Sequence, residues 1–206
     1  LHGQAWTKTA ASFGTELNND QLKLLQGRRR HDCALLVKNW IKKTIEIEDV
    51  LKVHQPISKE FLTKATAMPG AESLVTWCNE NNFPIGLVTS SSSVSVKVKT
   101  SPHPWLSLFL IRVQGDDPSL SAGKPNPDPY LLGAKKLNLR TNECWAIEDS
   151  LSGTKSAYKA GCKVFVLRNN SNENLIEKNF QSSNSTPEYL GNLNILLRTI
   201  KGMKSN

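Results

Sequence analysis

The apolar residues of this chain follow one rhythm up to about residue 67 and another from about residue 71. In the first stretch they recur at helical spacing: Ala5, Trp6, Ala10 and Phe13, then Leu22, Leu24 and Leu25, then Ala34, Leu35, Leu36, Trp40 and Ile41. Such spacing gathers side chains on one face of a 3.6-residue turn. Gly14 and Gly27 fall where these runs stop, and Asn18, Asn19 and Asp20 offer acceptors for the first N–H groups of the helix that follows. Residues 1–67 are therefore predicted as a small helical domain, and Pro69-Gly70 marks its end.

From Ala71 helical patterns alternate with short apolar runs. The spacing predicts a helix over 70–81, a strand over 83–88, a helix from about 93, and a strand near 108–113. It then predicts a helix over 128–137, a strand over 143–147, a helix over 154–160 and a strand over 163–167. Helices lying between strands are the crossovers that parallel strands require. The predicted class is α/β, a Rossmann-like parallel sheet core over 68–206 beside the small helical domain. Past Arg168 the Asn- and Ser-rich stretches 169–172 and 182–185 predict a surface loop, followed by a terminal helix around 193–200.

Polar residues stand where the apolar runs end. Thr89 follows F-P-I-G-L-V at 83–88, and Glu148 and Asp149 follow C-W-A-I at 144–147, while Lys124 lies in the loop G-K-P-N-P-D at 123–128. In open α/β sheets that carboxyl edge is where ligands bind. A hydroxyl, an ammonium and a carboxylate pair suit, respectively, a phosphate oxygen, a concentrated negative charge and a hard metal ion. The backbone N–H groups of Ser90 and Ser91, read as opening the next helix, would add donors for an anion, and Pro125 and Pro127 stiffen the lysine loop. Each feature also has a plainer reading. Thr89 with Ser90–Ser93 can simply cap a helix, Lys124 can be a solvated loop lysine, and Glu148-Asp149-Ser150 can be an N-cap with acidic first-turn residues.

Taken together, in this order and spacing, the three segments G-L-V-T (86–89), G-K-P-N-P-D (123–128) and E-D-S-x-x-G (148–153) resemble motifs two, three and four of the haloacid dehalogenase superfamily. Within it the chain is most similar to the beta-phosphoglucomutase and phosphoglycolate phosphatase branch, and G-D-D-P at 115–118 is similar to glycerol-phosphate and pseudouridine-phosphate phosphatases. The resemblance implies a helical cap over a Rossmann-like core and an Mg²⁺-dependent phosphatase of small phosphorylated metabolites. Thr89 would bond the transferring phosphoryl group, with Ser90 and Ser91 beside it. Lys124 would offset charge between phosphate and nucleophile, and Glu148 and Asp149 would hold Mg²⁺. In the cap, His2 matches a cap-entry histidine. Gly27–Arg30 fall at the substrate-specificity loop, so Arg28 or Arg30 would grip a second anionic group. His103 is read as structural.

Family members carry a first motif, D-x-D-x-T/V, whose first Asp attacks phosphorus and whose second acts as acid and base. No D-x-D occurs in these 206 residues. The expectation is an N-terminally truncated member lacking one strand, which would lie in mid-sheet between the strands ending at Thr89 and Glu148, so that this chain is inactive by itself; a natural catalytically dead paralogue is the alternative. A sugar phosphomutase and a noncatalytic anion- or nucleic-acid-binding protein remain as competing functions.

Charge keeps the last of these open. Lys and Arg number 26 against 18 Asp and Glu, a formal net charge of +8, which draws anions generally. Yet Arg28-Arg29-Arg30 and Lys42-Lys43 have no interleaved aromatic residues for bases to stack on. A small anionic partner is preferred over nucleic acid. No apolar run approaches a membrane span. The four scattered cysteines form no C-x-x-C pair, predicting reduced thiols in a cytoplasmic protein.

Overall fold

The structure is a computed structural model that describes residues 2–62, 65–168, 173–180 and 186–204. Its first part is helical: α1 (His2–Ser12), α2 (Asn19–Leu25), α3 (Arg30–Trp40) and α4 (Ile47–Leu62). Trp6, Ala10, Leu25, Cys33, Ala34, Val37, Ile41 and Val50 are buried together as their common core. Two residues of the expected stripe, Leu24 and Leu35, face outward instead. Asn18 caps α2 reciprocally, its Oδ1 accepting from the Gln21 N–H at 2.9 Å while Gln21 Oε1 accepts from the Asn18 N–H at 2.9 Å. Gly14 and Gly27, where the helical runs stop, take φ of +77° and +76°, which costs glycine little.

The rest alternates. In chain order come α5 (Ala71–Glu80), β1 (Gly86–Val88), α6 (Ser93–Thr100), β2 (Ile111–Val113), α7 (Asp128–Leu137), β3 (Trp145–Glu148), α8 (Leu151–Ala160), β4 (Lys163–Leu167), α9 (Glu173–Phe180), β5 (Glu188–Leu190) and α10 (Leu193–Lys204). Every strand pairing is parallel. Along β4, Phe165 and Leu167 enter one apolar cluster with Leu74, Leu193 and Leu196, while Val164 and Val166 enter another with Ala157 and Ile176. Helices therefore cover both faces, as the α/β class demands.

The structure departs from the sequence expectation in four respects. The strands form two ladders, β1–β2 and β3–β4–β5, rather than one sheet. The break falls between β1 and β3, because among the described residues no strand lies between them. Second, β1 begins at Gly86 because Pro84, lacking an N–H, cannot join a ladder, and β2 begins at Ile111 because a 3₁₀ turn over Pro104–Leu108 takes up the chain before it. Third, α8 starts at Leu151, since Ser150 Oγ accepts from the Gly153 N–H at 3.1 Å and caps the helix there. Fourth, the stretch after Arg168 contains α9 and β5: Ile176 and Phe180 are buried, and β5 ladders onto β4. The predicted loops at 169–172 and 182–185 lie outside the described residues.

Side-chain hydrogen bonds tie the N-terminal helices to the rest. Ser90 Oγ donates to the Gly27 carbonyl at 2.7 Å, Ser152 Oγ to the Gln26 carbonyl, and Arg30 Nη2 to Ser95 Oγ at 2.8 Å. All four cysteines are free thiols. Among the described residues no helix is long and apolar enough to cross a membrane.

Candidate functional site

Strand β1 ends directly at Thr89, whose N–H continues the ladder by donating to the Val113 carbonyl at 2.9 Å. The Thr89 hydroxyl accepts from the Ser91 N–H at 3.1 Å and donates to no group among the described residues. Helix α6 opens later than the sequence suggested. It is capped by Ser92, whose Oγ accepts from the Ser95 N–H, and by Asp116 of the G-D-D-P segment, which accepts from both the N–H and the hydroxyl of Ser93 at 2.8 and 2.7 Å. Ser90 and Ser91 thus precede the helix rather than forming its first turn. The Ser90 hydroxyl reaches across to the Gly27 carbonyl, while Ser91 accepts from Lys99 Nζ through its hydroxyl and donates to Thr89 through its N–H.

Lys124 is buried, with 6% of its side-chain surface exposed, and so is Glu148 at 7%. Their charged groups meet, Lys124 Nζ donating to Glu148 Oε1 and also to the Val88 carbonyl at 3.1 Å. One lysine thereby joins the end of β1 to the end of β3 across the break between the ladders. Tyr130 of α7 donates its hydroxyl to the same Glu148 oxygen, and the Lys124 ammonium sits 5.0 Å from the Tyr130 ring centre. Burial first, then the Glu148 charge, push the Tyr130 pKa well above its ordinary value. Glu148 Oε2 accepts from Ser150 Oγ at 3.3 Å. Helix α8 approaches so closely that a Cβ on Gly153 would collide with that carboxylate. Gly153 therefore makes room for a carboxylate rather than only for helix–sheet packing.

Asp149, one residue on, presents an edge to solvent. Desolvation of its carboxyl group and the neighbouring Glu148 charge raise its pKa, against the pull of Lys124 and Lys99. These donors fit magnesium in part. Asp149 is a hard oxygen donor at the strand end, whereas both oxygens of Glu148 are engaged with Lys124, Tyr130 and Ser150. Among the described residues no three His, Cys, Asp or Glu side chains converge as a metal cluster. Of the expected ligand pair, then, one turns outward and the other turns inward onto the lysine.

The arginine run splits three ways. Arg28 donates to the Leu24 carbonyl at 2.8 Å, and Arg29 pairs with Asp32 at 3.0 Å. Both line a cleft of about 270 Å³ with Leu35, Leu36, Lys124 and Asn126. Arg30 turns away from that cleft onto Ser95 of α6. His2 stands at the start of α1 with Nε2 2.9 Å from Lys99 Nζ, and burial together with the lysine charge lowers its pKa to about 4. His103 Nε2 lies 3.2 Å from the Ala65 carbonyl, away from these groups. Sequence reasoning missed Tyr130 and Lys99. Tyr130 is signalled only by its place two residues after the lysine motif, and Lys99 by nothing local.

Parallel strands with helices on both faces, and a buried lysine–carboxylate pair joining the ends of two of them, define an α/β protein whose candidate site lies at the carboxyl edge. The haloacid dehalogenase-like hydrolase profile matches residues 2–167, and the chain belongs to that family. It is 39% identical over 174 residues to a probable pseudouridine-5'-phosphatase of Saccharomyces cerevisiae, covering 80% of this chain and 74% of that protein. It is 25% identical over 166 residues to the bifunctional riboflavin kinase/FMN phosphatase of Arabidopsis thaliana, covering 80% of this chain but spanning only 43% of that relative's length. The fold is that of the beta-phosphoglucomutase of Clostridium difficile, with a TM-score of 0.78 at 22% identity over 98% of this chain and 88% of that one.

Proposed function

We propose that this protein is an Mg²⁺-dependent phosphatase of small phosphorylated metabolites, in which residues 1–67 form a cap over a phosphate-handling core at 68–206. The observation that carries the reading is the bridge from Lys124 to Val88 and Glu148. It brings the Thr89 hydroxyl, a buried ammonium and the Asp149 carboxylate to one edge of the core, although they come from three separate loops. Two relatives described as phosphatases support the reaction class. Four free thiols suit a reducing, cytoplasmic setting.

Each residue has a physical task in this reading. Thr89 directs its hydroxyl proton at a phosphoryl oxygen, and Ser91 holds that hydroxyl in place. Lys124 supplies positive charge from a site where burial strengthens it, with Glu148 and Tyr130 fixing its position. Asp149 is the side chain that would hold Mg²⁺, which would supply positive charge against the phosphate. The cap loop at Gly27–Arg29 narrows the cleft and excludes water. A carboxylate to attack phosphorus is not among these residues in D-x-D form, so the 206-residue chain is expected to be inactive. In this reading, a parallel strand carrying that carboxylate would lie at the break between β1 and β3.

Titration calorimetry with Mg²⁺ in the presence of inorganic phosphate tests the assignment. Asp149→Asn is expected to weaken Mg²⁺ binding by about tenfold or more, through loss of a charged hard ligand. Equal Mg²⁺ affinity in both proteins would remove Asp149 from the site. The competing nucleic-acid reading predicts tight oligonucleotide binding that persists at physiological ionic strength; the arginines here are instead taken up by Leu24, Asp32 and Ser95.

A further inference from the structure

Two of the four cysteines stand side by side, and the candidate site uses neither. In the parallel ladder of β3 and β4, Trp145 is the register partner of Lys163. The Lys163 N–H donates to the Cys144 carbonyl at 3.0 Å, which carries the pairing one residue back, and Cys144 is itself extended, with φ −95° and ψ 137°. Cys144 and Cys162 are therefore opposite one another where the two strands begin. Along each strand successive side chains alternate between the two faces of the sheet. Trp145 and Lys163 share one face, the Lys163 ammonium lying 5.0 Å from the Trp145 ring centre. Cys144 and Cys162 then share the other, with Cys162 packed against the cluster that holds Ala146 and Val164. The two thiols are near enough that charge on Cys144 helps raise the Cys162 pKa.

Neighbouring strands lie about 4.8 Å apart, and a disulfide joins Cα atoms about 4.4–6.8 Å apart. The spacing of paired strands falls inside that range. Both thiols are also partly open to solvent, in contrast to Cys33 and Cys78, which are buried in separate clusters. Cys144 Sγ donates to the Arg140 carbonyl at 3.4 Å on the surface, so it is the thiol that an outside reagent meets first. A bridge would join the start of β3 to the residue that follows the left-handed cap of α8 at Gly161. It would close residues 144–162, the segment that carries Glu148, Asp149 and Gly153.

We propose that Cys144 and Cys162 are a reversible oxidation site, forming a disulfide with a small-molecule disulfide as the oxidant. The Cys144 thiolate attacks one sulfur of the oxidant, making a mixed disulfide and releasing one thiolate. The Cys162 thiolate then attacks the Cys144 sulfur, closing the bridge and releasing the other. Two protein thiols are oxidised, one disulfide is reduced to two thiols, and the protons lost by the protein go to them. Burial first raises both pKa values, that of Cys162 to about 11, so little thiolate is present at neutral pH. Bridge formation is accordingly slow there and quickens by up to about tenfold per pH unit. In a reducing compartment such a bridge is a transient response to oxidant rather than a permanent staple. The inference is independent of the phosphatase reading.

The folded 206-residue chain, incubated in mildly alkaline buffer with excess glutathione disulfide, tests it by intact mass and peptide mapping. The expected product has lost two hydrogens, contains one linked peptide pair joining Cys144 to Cys162, and reverts fully in dithiothreitol. Cys162→Ser cannot close the bridge and should instead accumulate one glutathione on Cys144; Cys162→Ala serves if the serine variant does not fold. The bridged chain should melt about 5 °C or more above the reduced one, because the cross-link restricts the denatured segment. Glutathione retained on Cys144 of the wild-type chain without a bridge, no reaction at either thiol, or a bridge that fails to raise the melting temperature would overturn the proposal.

Discussion

Two lysines flank the Thr89 loop, and their surroundings are opposite. Lys124 is buried against a carboxylate, a tyrosine ring and a backbone carbonyl, so its charge is compensated within the protein. Lys99 is half-buried against a hydroxyl and an imidazole, with Arg30 repelling its charge and Asp149 attracting it. A compensated charge organises the structure around it, and here it ties the ends of two strands that are not laddered to each other. A charge that forms no contact ion pair leaves the fold less dependent on it. The difference separates a lysine that holds the fold together from one on which less of the packing depends.

Breaking the compensated unit should have the largest effect. Glu148→Ala strands Lys124 in the interior and is expected to cost about 3–5 kcal/mol in urea unfolding, whereas Lys99→Met should change stability by less than about 1 kcal/mol. If the two substitutions cost the same, the contrast between the lysines fails. Next in size, Gly153→Ala places a methyl group on the Glu148 carboxylate and should cost about 1–3 kcal/mol through forced displacement; a neutral result in the same assay would mean that Glu148 readily moves elsewhere.

Acid titration sharpens the comparison from the side of the N-terminal helices. His54 is buried, stacked on Trp6 with ring centres 3.6 Å apart, and bonded through Nδ1 to Thr9 Oγ1 at 3.0 Å. Burial first, then Arg30 and His2, lower its pKa to about 3. The unfolded imidazole takes up a proton near pH 6.5, while the folded one stays neutral down to about 3, so across that window the unfolded state binds the extra proton. Stability therefore falls as the pH drops from about 6.5 towards 3, by at most about 1.4 kcal/mol per pH unit from this group. In His54→Gln the acid limb should flatten; an unchanged slope would assign the acid sensitivity to other groups. The smallest effect is local. Lys99→Met should raise the His2 pKa from about 4, followed by proton NMR of the imidazole, and Lys124→Met should leave it in place.

Much of the fold was legible because period and punctuation agreed. Helix α7 and strand β4 occupy the predicted residues, the first opening at the Pro127-Asp128-Pro129 run and the second being an uninterrupted apolar run. Helix α9 was not legible. Its place depends on burying Ile176 and Phe180 against the core, a tertiary contact that its Asn- and Glu-rich surroundings conceal. Of the candidate site, Thr89 and Asp149 could be singled out because short segments place them just after strands, and Lys124 because its Pro-flanked loop leads into α7. The direction of a side chain could not be read in that way. Glu148 and Asp149 are neighbours in sequence yet face opposite ways, since successive residues at a strand end alternate. Tyr130 and Lys99 matter only through partners brought to them by the fold.

The central claim is that these residues form a phosphoryl-transfer site wanting only a carboxylate between β1 and β3. Hydrolysis of p-nitrophenyl phosphate in Mg²⁺ tests it directly, by comparing the 206-residue chain with the same chain extended at its N-terminus by a strand ending in D-x-D-x-T/V. The expected result is no turnover by the shorter chain, and for the extended one Mg²⁺-dependent turnover together with a higher melting temperature, as an open sheet edge becomes paired. Turnover by the 206 residues alone, abolished by Lys124→Ala, would place the nucleophile elsewhere and contradict the account.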